Sequence, residues 1–103
     1  FQGRTHPMSE EFARFDAAEY LKTPEDMAAY LDACFDDDEG DGVLIRAALN
    51  DIARAQGMTQ VARDAGLGRE SLYKALSSTG NPEFATIMKV MKALGLRLHA
   101  VTL

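Results

Sequence analysis

Residues 69–74 carry four side chains that could read a nucleic acid from one face of a helix. Arg69, Glu70, Tyr73 and Lys74 are spaced so that a helical period turns them all to the same side. Their guanidinium, carboxylate, phenol and ammonium groups can reach base edges and phosphates from within a major groove. The same residues could also form the solvated face of an ordinary helical hairpin, so periodicity alone leaves both interpretations open.

These four residues belong to a segment, 58–76, whose pattern predicts two short helices joined by a sharp turn. Gly66 comes four residues after Ala62, at a point where a side chain would crowd the crossing of the helices. This layout predicts a helix-turn-helix whose second helix presents Arg69 and Lys74 outward. The residues that we expect to be buried are Val61, Ala62 and Ala65 on the first helix and Leu72, Ala75 and Leu76 on the second.

The charge of the chain changes sign along its length. The formal net charge is −5 over 103 residues. Residues 1–42 hold three basic and twelve acidic side chains, whereas residues 43–103 hold eight basic and four acidic ones. An acidic stretch can be no more than a solvated face, but such asymmetry favours two surfaces with different partners. Residues 1–7, FQGRTHP, resemble a tag remnant and a cloning scar and are left out of the functional argument.

The sequence lacks the side chains that most catalytic and metal sites need. The histidines, His6 and His99, have no plausible nucleophile or carboxylate partner, and one cysteine with one native histidine cannot complete a zinc site. The acidic run at 36–42 resembles the start of a calcium loop, but Ala48 stands where a bidentate carboxylate is needed. We therefore predict a protein that is not an enzyme and that has no metal and no cofactor.

The compartment can also be predicted from the sequence. No apolar run approaches the roughly 20 residues that span a bilayer, so we expect no membrane segment. Cys34 is the single cysteine, and its helix-core spacing predicts a buried thiol. Both observations fit a cytoplasmic protein.

Three more helices are predicted around the helix-turn-helix. Thr23 can cap a helix over 23–35 that has Pro24 in its first position, and Asp41 can cap a helix over 43–56. A further helix over 83–94 follows the loop at 77–82. Each carries an apolar stripe that must be covered. The stripes are Met27, Tyr30, Leu31, Cys34 and Phe35; Leu44, Ala48, Leu49, Ile52 and Ala53; and Phe84, Ile87, Met88, Met91 and Leu94.

In the last eight residues, 96–103, the spacing of apolar residues changes from the helical period to alternation. Leu96, Leu98 and Ala100 alternate with Arg97, His99 and Val101, which predicts a strand. A single strand in a helical domain has no internal partner, so it must pair with a second copy, with another protein or with a strand not evident here. We slightly favour pairing with a second copy through Leu96, Leu98 and Ala100.

The chain resembles the bacterial and phage probable addiction module antidote proteins, which are antitoxins with an Xre-like helix-turn-helix. The resemblance begins near FDAAEYL at 15–21 and is most specific over 48–98, where ARAQGM, GLGRESLYKAL, GNP and KALGLRL occur in order. It implies a bundle of about five helices, usually dimeric. It also implies a small basic toxin of the RelE/ParE type as partner, which the antitoxin neutralises while repressing the shared operon.

The resemblance assigns roles by position. Arg69, Glu70, Tyr73 and Lys74 fall where Xre-like recognition helices contact bases. Thr59 and Gln60 open the first helix of the motif, where a phosphate contact is expected, and Ser77, Ser78 and Asn81 flank the DNA backbone. Gly68 replaces the usual Ser or Thr cap of the recognition helix. Glu70 could accept a hydrogen bond from cytosine or pair with Lys74 four residues on, and we slightly favour the pair.

For the toxin we favour the N-terminal helix and its acidic loop, whose charge suits a basic partner. The candidate contacts are Met27, Tyr30, Leu31, Asp37, Asp38 and Glu39.

Together these observations predict an all-α, lambda-repressor-like fold with a short C-terminal β-strand. The predicted parts are a tag remnant at 1–7, an acidic arm and helix at 8–42, a helix-turn-helix domain at 43–95 and the strand at 96–103. Two copies would bind double-stranded DNA at a near-palindromic operator. Two rival functions remain: a prophage-type repressor without a toxin partner, and an interaction module whose helix pair no longer binds DNA.

Overall fold

A computed structural model describes residues 19–103 of the chain. In this range the protein consists of helices and irregular segments, so the predicted helical bundle is confirmed there. The predicted tag remnant at 1–7 and the beginning of the predicted acidic arm lie outside the described residues. The helices that lie wholly within this range are α1 Pro24–Asp37, α2 Val43–Gln56, α3 Met58–Ala65, α4 Arg69–Leu76 and α5 Phe84–Ala93.

Helix α1 begins as the sequence predicts. The Thr23 hydroxyl accepts a hydrogen bond from the Asp26 backbone N–H at 3.1 Å. The Asp26 carboxylate in turn accepts from the backbone N–H of Thr23 at 3.3 Å. This reciprocal capping box, with Pro24 in the first turn, satisfies donors that a helix start otherwise leaves unpaired.

Helix α2 begins differently from the prediction. Its N-cap residue is Gly42, at φ +80°, and no side chain caps it from that position. Asp41 accepts only from Val43 N–H at 3.1 Å. Asp38 instead accepts from the backbone N–H groups of Gly40 at 2.8 Å, Gly42 at 3.1 Å and Leu44 at 3.2 Å. Asp38, and not Asp41, therefore organises the acidic loop.

The core lies between α2 and the helices packed around it. Helix α1 packs on α2, α3 packs on α2, α4 and α5, and α4 also packs on α2. The largest fully buried side chains are Leu49, Ile52, Val61, Leu72 and Val90. Burying each of them from water stabilises the fold by about 1.5–3 kcal/mol.

The predicted apolar stripes are confirmed for most of their residues and are wrong for four of them. Phe35, Leu44, Phe84 and Met88 are all exposed, and Phe84 keeps 69% of its surface accessible. Three of these residues lie within one helical turn of a helix end, where the neighbouring helices no longer cover the stripe. Val90, which the stripe prediction omitted, is fully buried instead.

The tail at 96–103 is not a strand in the single chain. Over residues 19–103 no residue belongs to a β-strand, so the predicted C-terminal strand is absent from this part of the molecule. The alternation has another physical cause, because Leu96 and Leu98 are half-buried against the helical core while the residues between and after them are exposed. A strand also needs a partner, which a single chain does not provide.

Within residues 19–103, no helix is long and apolar enough to cross a membrane.

Candidate nucleic-acid interface

Helices α3 and α4 are joined by a tight turn at Gly66. The residue adopts φ +73°, a left-handed conformation that glycine tolerates best. A Cβ there would meet nothing within 4 Å, so the predicted crowding of the helix crossing is wrong and the backbone conformation alone favours glycine. Its N–H donates to the Arg63 carbonyl at 3.1 Å, and Leu67 N–H donates to the Ala62 carbonyl at 2.9 Å. These hydrogen bonds terminate α3 and fix the turn that leads to α4. The six residues predicted to be buried on this helix pair are all buried, namely Val61, Ala62, Ala65, Leu72, Ala75 and Leu76.

The outer face of α4 carries the four predicted base-reading residues. Arg69, Glu70, Tyr73 and Lys74 are all exposed, and Leu72 behind them is fully buried. The packing of Leu72 therefore fixes which face of α4 points outward, and the structure brings the four side chains together on it. This face can donate hydrogen bonds from cationic groups and accept them at a carboxylate, which is what base edges require.

Arg69 and Tyr73 form a pair on this face. The Arg69 Nη2 donates to the Tyr73 hydroxyl at 3.2 Å, and its guanidinium carbon lies 5.5 Å from the ring centroid. These contacts join neighbours four residues apart and hold the guanidinium at the hydroxyl end of the ring. The remaining guanidinium donors stay free to make a two-pronged contact.

Glu70 and Lys74 do not form the predicted ion pair. In the described part of the chain, the ion pair that does form joins Arg54 to Asp51 at 2.8 Å. A surface pair within a helix contributes only about 0.3–0.5 kcal/mol, so two long exposed side chains are easily kept apart by solvation. Both Glu70 and Lys74 are therefore available to a ligand.

The two predicted phosphate contacts at the start of α3 differ in their surroundings. Thr59 is exposed in the first turn. Gln60 is exposed too, but its Nε2 donates to the Asp64 carboxylate at 2.9 Å and its Oε1 accepts from Arg63 at 3.4 Å. Gln60 must break these two hydrogen bonds within α3 before it can bind a phosphate. Thr59 takes part in neither of them.

The loop after α4 is held by a residue that the sequence analysis missed. Arg46, on α2, donates from Nε to the Ser77 carbonyl and from Nη2 to the Ser78 carbonyl, both at 3.3 Å. The partners lie more than thirty positions apart, so no local pattern could have indicated them. Ser77 Oγ donates to the Lys74 carbonyl at 2.9 Å, while Ser78 and Asn81 are exposed.

Gly80 brings this loop against the end of α4. A Cβ at Gly80 would lie 2.3 Å from the Lys74 carbonyl oxygen and 3.1 Å from that of Ala75. No side chain fits there, since both neighbours are backbone atoms. Gly80 N–H donates to the Ser77 carbonyl at 3.1 Å. The loop therefore folds back closely over the last turn of α4, and Asn81 lines the same surface cavity as Lys74.

The candidate toxin contacts on α1 are only partly accessible. Met27 and Leu31 are buried, each 5% exposed, so both serve the core. Tyr30 is half-buried, and its hydroxyl donates to the Asp51 carboxylate at 2.6 Å. Burial, together with this hydrogen bond, raises the pKa of Tyr30 well above its usual value.

The acidic loop presents its carboxylates in two ways. Asp37 and Glu39 are exposed, whereas Asp38 is turned toward the loop backbone. The hydrogen bond from Gly40, with those from Gly42 and Leu44, lowers the pKa of Asp38. Among residues 19–103 no group of three or more His, Cys, Asp or Glu side chains could hold a metal ion.

The remaining candidate residues are Cys34 and three residues of the tail. Cys34 is half-buried, and burial, with nearby carboxylates led by Asp51, raises the pKa of its thiol. Of the three residues proposed for self-pairing, Leu96 and Leu98 are half-buried and Ala100 is exposed.

Comparison with known proteins identifies a family and one similar protein. Residues 11–102 match the family described as probable addiction module antidote protein. A protein of Haemophilus influenzae, named only as an uncharacterized protein, is 56% identical over 92 residues, which cover 89% of this chain and 93% of that protein. No solved structure matches the chain.

Proposed function

The chain belongs to the probable addiction module antidote family, and from this premise we propose that it is a type II antitoxin and autorepressor. It neutralises a RelE/ParE-like toxin in the cytoplasm and represses its own operon by sequence-specific binding to double-stranded DNA. One observation carries the DNA-binding half of the proposal. Arg69, Glu70, Tyr73 and Lys74 share the exposed face of α4, backed by buried Leu72.

In this proposal α3 and α4 form a helix-turn-helix, and α4 is the recognition helix. Arg69 makes a two-pronged contact with guanine, since its guanidinium still has free donors beside Tyr73. Lys74 binds guanine or a phosphate, and Glu70 accepts from a cytosine amino group. Tyr73 positions Arg69 and contacts the DNA backbone with its exposed edge.

Phosphate contacts come from both ends of the helix pair. Thr59 and Gln60 bind one phosphate at the start of α3, and Ser77, Ser78 and Asn81 bind another after α4. Residues 43–103 carry a net charge of +4, so the same surface attracts DNA of any sequence. Affinity therefore falls as salt rises, and the base contacts supply the preference for the operator.

The operator is read by a homodimer. Two recognition helices reach successive major grooves about 34 Å apart on a near-palindromic site. Self-pairing of the tails through Leu96, Leu98 and Ala100 is one route to that dimer. It requires the irregular tail to become a strand on contact with its partner.

A growth experiment tests the antitoxin half. The small open reading frame beside this gene is induced with and without this protein. We expect growth arrest that co-expression of this protein relieves. Absence of arrest from every flanking frame would favour the prophage-type repressor without a toxin partner.

Binding to the DNA upstream of the gene tests the repressor half. We expect Arg69→Ala to weaken binding to that fragment by about 1–3 kcal/mol and to change binding to random DNA much less. Lys92→Ala removes an exposed cation from α5 and serves as the matched control. Equal losses of Arg69→Ala on both DNAs would overturn the base contact.

A further inference from the structure

A groove runs between α1 and the tail, on a part of the molecule that the DNA-binding proposal does not use. One wall is α1, through Ala28, Asp32 and Phe35, and the other is the tail, through Leu98, His99 and Val101. Its floor is formed by core residues of α1 and α5, and it encloses about 120 Å³. A water molecule needs roughly 10–15 Å³ of such space, so the groove can accept a side chain of several carbon atoms.

The rim of the groove is apolar and exposed. Phe35 keeps 42% of its surface accessible and Val101 keeps 77%. Both are large apolar side chains. Covering them with a partner stabilises the complex by about 25 cal/mol for each Å² removed from water. Exposed aromatic residues beside a pocket are typical centres of protein interfaces.

The tail wall has a free backbone. Leu96 N–H donates to the Met91 carbonyl at 2.9 Å, and this is the last backbone hydrogen bond of the tail within the described structure. Residues 97–103 therefore offer N–H and C=O groups that a bound segment can use. Since Leu98 is anchored against the core, these groups are held in place beside the groove.

The charge around the α1 wall indicates that the partner is basic. Residues 19–42 carry nine acidic side chains and one basic one, Lys22. Asp32 lies in the groove itself, and Asp36 and Asp37 follow on the same helix. The tail wall contributes Arg97 and His99, so the negative field comes from the α1 side. A complementary segment carries its Lys or Arg side chains on the side that faces α1.

The groove and the DNA-binding face are built from different elements. Helix α1 packs on α2, whereas α4 packs on α2 and α3 and contributes no residue to the groove. A partner in the groove therefore leaves Arg69 and Lys74 exposed.

We propose that this groove docks the toxin, through a segment that places one apolar side chain between α1 and the tail and its cationic side chains against Asp32. The proposal rests on the antitoxin function for the identity of the partner. It assigns the tail to the toxin surface, joined with α1, in place of the self-pairing route to the dimer, and it adds Phe35 and Val101 to the contacts.

The test measures the affinity of the full-length protein for the purified product of the adjacent toxin gene by titration calorimetry. We expect Phe35→Ala to weaken the Kd by about tenfold or more. Asp32→Asn weakens it less, and its effect shrinks as salt is raised. Phe84→Ala and Glu83→Gln remove an exposed aromatic ring and an exposed carboxylate outside the groove and should leave the Kd unchanged. Affinity for upstream DNA should stay the same for Phe35→Ala, which shows that the variant is folded.

Three results would overturn the proposal, each in a different way. A Phe35→Ala protein that binds the toxin within twofold of the unaltered chain removes the groove and leaves the antitoxin function intact. A groove variant whose mass falls from dimer to monomer, with unchanged toxin affinity per chain, assigns the groove to a second copy. An unaltered chain that neither binds the adjacent product nor relieves its toxicity removes the antitoxin function itself.

Discussion

The Tyr30 hydroxyl donates a 2.6 Å hydrogen bond to the Asp51 carboxylate and thereby joins α1 to α2. The Tyr20 ring meets Tyr30 edge-on at 6.5 Å between centroids, and Arg54 holds the other carboxylate oxygen of Asp51 at 2.8 Å. A part-buried hydrogen bond to a charged group is stronger than a neutral one. Tyr30 is therefore a residue that positions α1, and with it the α1 wall of the groove.

Tyr30→Phe should destabilise the protein by about 1 kcal/mol, because the Asp51 carboxylate loses a donor while the ring stays in place. For a domain of this size that corresponds to a fall in Tm of about 4–8 °C. Thermal unfolding followed by circular dichroism measures it. Tyr73→Phe is the matched control, since its hydroxyl only accepts a bond from exposed Arg69. Equal Tm values for Tyr30→Phe and the unaltered protein would mean that α1 is held by apolar packing alone.

Asp38→Asn should remove a pH-dependent part of the stability. The hydrogen bonds from Gly40, Gly42 and Leu44 lower the pKa of Asp38 in the folded chain. Because the pKa is lowered on folding, the ionised carboxylate stabilises the folded chain fully at pH values above its pKa in the unfolded chain. This stabilisation is lost as the pH falls through the pKa of the folded chain. The Tm of Asp38→Asn should thus lie below that of the unaltered protein at pH 7 and approach it at acid pH. Asp36→Asn, which removes an exposed carboxylate from the last turn of α1, controls for the loss of one negative charge.

The helical framework could be predicted because its determinants are local. The Thr23 cap, the Gly66 turn and the buried apolar residues of α3 and α4 all follow from spacing along a few turns. The exposed face of α4 follows from the same spacing, since residues opposite Leu72 must point outward. Arg69 and Lys74 could therefore be placed on the exposed face of α4 from the sequence alone.

The missed features depend on contacts between distant parts of the chain. Arg46 meets Ser77 across more than thirty residues, and Tyr30 meets Asp51 across 21. The tail was predicted as a strand because packing of Leu96 and Leu98 against a helical core produces the same alternation as a pleated sheet. The exposed ends of the stripes, such as Phe84, depend on where neighbouring helices stop.

Gly80→Ala should destabilise the loop after α4 and weaken DNA binding. Its Cβ would meet the Lys74 carbonyl oxygen at 2.3 Å, so the backbone must move to admit it. Overpacking of this kind costs about 1–3 kcal/mol. Gly68→Ala is a useful control, because its Cβ meets only the Ser71 hydroxyl at 3.9 Å. Chemical denaturation gives the stability, and binding to the upstream DNA gives the function. If both glycine variants lose the same small amount of stability, the close approach at Gly80 has no energetic consequence.

Arg46→Ala should reduce DNA affinity without changing base preference. Its guanidinium holds the Ser77 and Ser78 carbonyls at 3.3 Å, and those residues belong to the proposed phosphate-binding loop. Loss of the two hydrogen bonds lets the loop move away from the backbone of the DNA. Because phosphates carry no sequence information, binding to operator and to random DNA should fall by the same factor. Fluorescence anisotropy on both DNAs measures this, with Arg54→Ala as the charge-matched control whose guanidinium pairs with Asp51.

Arg46→Lys separates geometry from charge, because an ammonium keeps the charge but lacks the rigid fork that reaches two carbonyls at once. Its affinity should lie closer to Arg46→Ala than to the unaltered protein. Full recovery by lysine would instead assign Arg46 a direct electrostatic contact with the DNA.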